Sequence, residues 1–152
     1  MERSVPKEII ALGRSDRGSY VIEFRLEEAL LVHVGKLGEF RLNPGWYYYV
    51  GSAMGGLRTR IIRHIKGEGK LRWHVDYIAR ALEPSRVWIF VTEARLEDKL
   101  AEHMSAKLEC GVPGFGCSDS RSSRTHLFFS PKPIRGMSII DGHTPKCARI
   151  RS

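Results

Sequence analysis

The chain has 152 residues, 42% hydrophobic and 28% charged, a balance that suits one folded domain and excludes a disordered chain, a collagen-like rod or a coiled coil. Lys and Arg number 25 against 17 Asp and Glu, a net charge of +8, so the ligands expected of it are polyanions. No apolar run approaches the roughly 20 residues that cross a bilayer, and Met1-Glu2-Arg3-Ser4-Val5-Pro6-Lys7 lacks the apolar segment of a secretory signal; no membrane association and a cytoplasmic location are expected.

The cysteines are Cys110, Cys117 and Cys147, an odd count without a C-x2-C pair, which argues against a disulfide framework and a structural zinc site. Residues 19–26, 29–34 and 39–42 read as strands, and Asn43-Pro44-Gly45 as a turn. An aromatic strand over 46–50 follows, stopped by Gly51, and the four strands read as a small antiparallel meander. Its alternation places Tyr47 and Tyr49 on one face and Trp46 and Tyr48 on the other, one face packed on the core and the other open to a groove.

After a loop at 51–56, Leu57, Ile61 and Ile65 form a helical stripe that Gly67 and Gly69 end. The loop is no phosphate-binding P-loop, since the G-K-[ST] ending is missing. A second helix is expected over 73–82, stopped by Pro84, then a strand over 86–92 and a helix over 96–108 with Leu96, Leu100, Met104 and Leu108 on one stripe. Residues 126–129 suggest a short strand, and 131–152 show no helical or strand period. The fold class expected is α+β: a small antiparallel sheet flanked by helices, in a single domain over 1–152 with a basic C-terminal extension at 131–152.

Charge is concentrated. Arg58, Arg60, Arg63, Lys66, Lys70, Arg72 and Arg80 face only Glu68 and Asp76 across positions 58–80, and His64 and His74 lie in the same stretch. Arg60 and His64 are i, i+4 neighbours on one helix face. An arginine at the edge of an apolar stripe can present its planar fork to a phosphate, or simply lie with its neighbours on a solvated basic face. Asp76 reads either as an ion-pair partner of Arg72 or Arg80 at i±4 or as a phosphate or metal group. Asp119 and His126 read as loop-holding residues, and Ser52 as a partner of a helix N–H or a phosphate.

Several ordered stretches share one pattern: Gly18-Ser19-Tyr20; Pro44-Gly45-Trp46-Tyr47-Tyr48-Tyr49-Val50-Gly51-Ser52-Ala53; Gly55-Gly56-Leu57-Arg58-Thr59-Arg60 with His64 beyond; Trp73-His74-Val75-Asp76-Tyr77; Val112-Pro113-Gly114-Phe115-Gly116, Ser118-Asp119 and His126-Leu127-Phe128. Over residues 16–130 the chain resembles the GIY-YIG nuclease superfamily. Within it, the chain is most similar to a small archaeal and bacterial family first catalogued as a domain of unknown function, sometimes fused to DNA-repair enzymes. The first motif here is Gly-Ser-Tyr rather than Gly-Ile-Tyr, an insertion separates the two motif tyrosines, and the superfamily's later asparagine has no clear match. The closer family's cysteines near Ser120 and Ser122 are also missing.

The resemblance implies a divalent-metal-dependent endonuclease acting on DNA, with a repair-protein partner as a further implication. Its catalytic residues map onto Tyr20, Tyr49, Arg60, His64 and Glu97. Glu97 is the expected ligand of Mg²⁺ or Mn²⁺, with Glu93 and Glu102 as alternatives. Arg60 is expected to stabilise charge on phosphorus. Tyr20 is expected to help deprotonate water once the metal or Arg60 lowers its pKa. Nucleic-acid contacts are expected from Ser52, Arg58, Arg63, Lys66, Lys70, Arg72 and His74. Two rival readings accompany this one: a non-catalytic nucleic-acid-binding module of the same fold, and an interaction subunit of a repair complex.

Overall fold

The computed structural model of the chain describes residues 3–116 and 125–151; Cys117, Ser118, Asp119, Ser120 and Ser122 lie outside the described residues. In chain order the elements are α1 (Lys7–Ile10), β1 (Gly18–Leu26), β2 (Leu30–His33), β3 (Glu39–Leu42), β4 (Gly45–Ala53), α2 (Leu57–Lys66), α3 (His74–Ala81), β5 (Glu83–Val91), α4 (Glu97–Ser105), β6 (Glu109–Cys110), β7 (Leu127–Ser130) and β8 (Lys146–Arg149). The fold is α+β. A six-stranded sheet has the order β6-β7-β4-β1-β5-β8, and β2 and β3 form a separate two-stranded sheet; every pair is antiparallel.

The expected meander is therefore corrected. β1 pairs directly with β4, and β2–β3 is a hairpin inserted between them. Tyr20 lies opposite Gly51 and Tyr49 opposite Ile22, so the 29 positions separating the two tyrosines collapse to two rungs of one ladder, on the same face. The aromatic strand also runs through Gly51 to Ala53. The glycine is there because a side chain would not fit: a Cβ on Gly51 would lie 2.7 Å from the Tyr20 ring and 2.8 Å from the Tyr49 ring.

Alternation along β1 sends Tyr20, Ile22 and Phe24 to one face and Val21 to the other. The first face packs with Leu57, Ile61 and Ile65 of α2 and with Val75, Ile78 and Ala79 of α3. The second face packs Val21, Tyr48, Trp88 and Phe90 against Leu100, Ala101 and Met104 of α4, against Leu96 just before it and against Ile140. Both faces of the aromatic strand pack on a core, and at its C-terminal end the face that carries Tyr49 also opens onto a pocket. Each such side chain moved out of water is worth about 2 kcal/mol.

The helix ends before Pro84 as expected, and Pro84 itself lies in a strand. β5 begins at Glu83, and the ladder with β1 shifts register between Glu23 and Phe24, leaving Ser85 as the extra residue. A bulge at a strand end tolerates a proline, which has no N–H to give. α3 is shorter than expected at both ends, and α4 ends at Ser105 rather than 108.

The C-terminal segment is built into the fold. β8 pairs with β5 at the sheet edge. Arg86 donates to the carbonyls of Ile134 (2.7 Å) and Arg135 (3.4 Å), and the Tyr48 hydroxyl accepts the Ile134 N–H at 2.9 Å. The clamp is charged: Arg86 pairs with Glu23 through two bonds of 2.8 and 2.6 Å, and Glu23 is 2% exposed. Cys110 and Cys147 are free thiols, and no helix among the described residues is long and apolar enough to cross a membrane.

Candidate active site

α2 starts at Gly56, which adopts a left-handed conformation (φ 73°), and its inner stripe docks on the sheet. That seating points Arg60 and His64 across the ends of β1 and β4. α4 lies under the opposite face of the sheet, yet its first residue, Glu97, reaches around the sheet end. Tyr20, Tyr49, Ser52, Arg60, His64 and Glu97 line one pocket of about 380 Å³, together with Arg72, Trp73 and His74.

The pocket is wired internally. The Tyr20 hydroxyl lies 3.0 Å from His64 Nε2. His64 Nδ1 has no hydrogen-bond partner and faces Asp76 Oδ1 at 3.9 Å. The negative carboxylate favours the tautomer with its proton on Nδ1, so Nε2 accepts from the Tyr20 O–H. Arg60 Nη1 donates to the Ser52 carbonyl at 2.9 Å, and the Ser52 hydroxyl donates to Glu97 Oε1 at 2.5 Å. On the other side of the carboxylate, His126 Nδ1 lies 3.3 Å from Glu97 Oε2. Gly116 N–H donates to His74 Nδ1 at 2.8 Å, which leaves the His74 proton on Nε2.

Burial sets the protonation states. It pushes the Tyr20 phenol well above its ordinary pKa, helped by Tyr49 and outweighing the opposing pull of Arg60. The expectation that Arg60 lowers this pKa is therefore met in sign and overcome in size: a phenolate with no water around it is too costly. Burial likewise lowers His64 to about 4, against the raising effect of Asp76 and with the help of Arg60 and Arg63. The resting pair is a neutral imidazole accepting from a neutral phenol.

The remaining basic residues divide. Arg72 and His74 line the pocket. Arg58 instead donates to the Leu12 carbonyl at 3.2 Å, tying α2 to the segment after α1. Arg63 bonds Asp76 Oδ2 at 2.9 Å and the Lys70 carbonyl at 2.6 Å. Lys66 and Lys70 are exposed away from the pocket lining, as are Glu93 and Glu102. Asp76 does not pair with the side chains of Arg72 or Arg80: its Oδ2 accepts the N–H groups of Arg72 and Trp73, both at 2.8 Å, and Arg63 reaches it from α2. Backbone donors at a helix start outcompete flexible i±4 arginines.

The sequence suggests His126 as a loop-holding residue, and the structure sets it against Glu97. Its chain neighbours carry no period that points there, since the contact depends on β7 running beside β4. Trp73 is a second residue whose placement the sequence did not disclose.

Among the described residues no group of three or more His, Cys, Asp or Glu side chains is placed to hold a metal ion. The donor set is one half-exposed carboxylate, each of whose oxygens keeps a lone pair beyond its contact with Ser52 or His126. Such a site does not fit zinc, which takes three or four N or S ligands. It fits a hard cation that retains waters and completes its shell with substrate phosphate.

Every residue of this pocket, from Tyr20 to His126, lies within the span of one family model. No curated protein and no solved structure matches the chain. The model for the domain of unknown function DUF123 matches residues 19–144, and the chain belongs to that family.

Proposed function

We propose that the chain is a metal-dependent endonuclease of GIY-YIG type that hydrolyses phosphodiester bonds in DNA. The observation that carries this reading is the convergence of two tyrosines, an arginine and a histidine from one face of the sheet with a carboxylate from the other, in one pocket. A pure binding surface has no need of a carboxylate, which repels phosphate, or of a buried phenol–imidazole pair.

Glu97 is the residue that would hold Mg²⁺ or Mn²⁺, whose chemistry is charge neutralisation at phosphate and leaving oxygens. The chain supplies the rest. Arg60, held by the Ser52 carbonyl, presents its guanidinium to the phosphate and stabilises the charge that builds as water adds. Tyr20 cannot act as a base by ionising in advance, because burial keeps it protonated. It takes the water proton at its oxygen as its own passes to His64 Nε2, and Asp76 steadies the resulting imidazolium from the Nδ1 side. The His74 Nε2–H offers the strand a neutral donor, and Arg72 a cationic one. Beyond cleavage, fusion-type association with repair proteins belongs to the same reading.

The test is cleavage of end-labelled single-stranded, duplex, flap and branched DNA with Mg²⁺, Mn²⁺ or chelator, comparing the intact chain with Glu97→Gln. Metal-dependent products that disappear in the variant support the proposal. Equal DNA binding by both proteins with no cleavage by either transfers the function to a nucleic-acid-binding module.

A further inference from the structure

Trp73 is the one exposed aromatic side chain among the described residues, at 39%. Trp88 is buried, and Trp46 is partly buried against the core on the α4 side of the sheet. An indole left in water forgoes the gain of burial, and this one is not loose. The Trp73 main chain is fixed: its backbone N–H donates to Asp76 Oδ2 at 2.8 Å and its carbonyl accepts the Asp76 N–H at 3.0 Å. The Arg60 and Arg63 guanidiniums each lie 4.8 Å from its ring centroid, and the His64 ring meets it edge-on at 6.5 Å. An indole with two guanidiniums over its ring and 39% of its surface still in solvent lies in the wall of the pocket that holds Arg60, Arg72 and His74.

We infer that Trp73 is a stacking platform for an unpaired nucleobase beside the bound phosphate, which makes the ligand a single-stranded or branched nucleic acid rather than an intact duplex. An aromatic face beside cations is the chemistry that holds single strands, because every base has a π-face and every linkage a charge. Inside a duplex both faces of a base are covered by its neighbours, so only a base at a gap, flap, end or single strand has a face to offer. Arg60 touches the indole and faces the pocket, so a phosphate at Arg60 carries its base about one sugar away, beside Trp73. The main chain under the platform is held by Asp76 and the ring by its contacts with Arg60, Arg63 and His64 before the strand arrives, which lowers the ordering cost of binding. This inference rests on the proposed function only in taking the ligand to be a nucleic acid; it does not require cleavage.

The test is equilibrium binding in chelator of a labelled oligothymidylate and of a blunt duplex of the same length, by anisotropy at several salt concentrations. Wild type, Trp73→Leu and Trp73→Phe are compared, with thermal melts as the folding control. Tighter binding of the single strand is expected, weakened roughly tenfold by Trp73→Leu and mostly recovered by Trp73→Phe, which keeps a π-face. Duplex binding and the salt slope stay unchanged, because Trp73 neutralises no phosphate. The inference is overturned if Trp73→Leu leaves single-strand affinity intact, or if both ligands weaken equally. If wild type binds neither ligand, the nucleic-acid reading itself fails. If it binds the single strand as described and never cuts in Mg²⁺ or Mn²⁺, the stacking site stands and the nuclease reading falls.

Discussion

Arg60 and Glu97 come from helices on opposite faces of the sheet and meet on the same residue. Arg60 Nη1 donates to the Ser52 carbonyl at 2.9 Å, and the Ser52 hydroxyl donates to Glu97 Oε1 at 2.5 Å. One residue at the end of β4 thereby sets the spacing of the cation and the carboxylate. Removing its hydroxyl frees the carboxylate without touching the arginine. Ser52→Ala should lower single-turnover cleavage by about 10- to 100-fold, shift the Mn²⁺ dependence to higher concentration, and leave the melting temperature little changed. Titrating Mn²⁺ against the cleavage rate checks it; an unchanged titration removes Ser52 from the site.

Arg60 holds the Ser52 carbonyl and lies over the Trp73 ring, and in the proposed reaction it also meets the phosphate, three tasks that one ammonium cannot share. Arg60→Lys keeps the charge and loses the fork. It should cost about 10²- to 10³-fold in cleavage rate while DNA binding falls far less. Parallel rate and anisotropy measurements would separate the two effects, and equal losses in both would mean that Arg60 only binds.

His64 links the site to acid stability. Its folded pKa is about 4, below the roughly 6.5 of an unfolded histidine. The unfolded chain therefore binds the proton first. Stability is fully present above about pH 6.5, falls as the pH drops toward 4, and levels off once the folded state is protonated too. The loss is about 3 kcal/mol at most. Urea titrations of wild type and His64→Gln across that window should show the acid limb flattened in the variant, whose amide oxygen still accepts from Tyr20.

Gly51 is where the two tyrosines need space. A Cβ there would meet the Tyr20 and Tyr49 rings at 2.7 and 2.8 Å, and Tyr20 is buried with nowhere to retreat. Gly51→Ala should cost about 1–3 kcal/mol of stability and move the Tyr20 hydroxyl off His64. The check is a denaturation curve together with cleavage below the new midpoint; a variant as active and stable as wild type would contradict the close approach.

The Glu23–Arg86 pair holds residues 134 and 135 to the sheet. Arg86→Met leaves a buried carboxylate unpaired and should destabilise by about 3–5 kcal/mol. Changing both partners to apolar residues should recover part of that loss. Loss of protection of the residue 134 amide in hydrogen exchange would report release of the segment.

Much of this molecule is legible from residue order alone, where one element's own period carries the information. The stripe Leu57, Ile61, Ile65 is buried as a helix face, and the alternation of Tyr47 and Tyr49 against Trp46 and Tyr48 sorts them to opposite sides. Tyr20, Tyr49, Arg60 and His64 could be picked out as candidates because each sits in a recognisable local string, and Glu97, beside Glu93 and Glu102, because it follows the strand and opens the next helical stripe. The four residues of β8 carry no such signal: only Ala148 is buried, and an edge strand takes its partner from β5 rather than from its own pattern.

What tertiary structure alone decided is contact between distant positions. Asp76 is taken by the backbone N–H groups of Arg72 and Trp73 and by Arg63 instead of the side chains of its i±4 arginines, and His126 comes to Glu97 because β7 runs beside β4. The same packing raises the Tyr20 pKa, which composition cannot do, because desolvation depends on what surrounds a group in space. Local pattern is written along the chain and determines helices, strands and candidate residues; burial, partner choice and the convergence of two sheet faces on Ser52 arise only when the sheet closes, since each is a property of pairs that the chain order keeps apart.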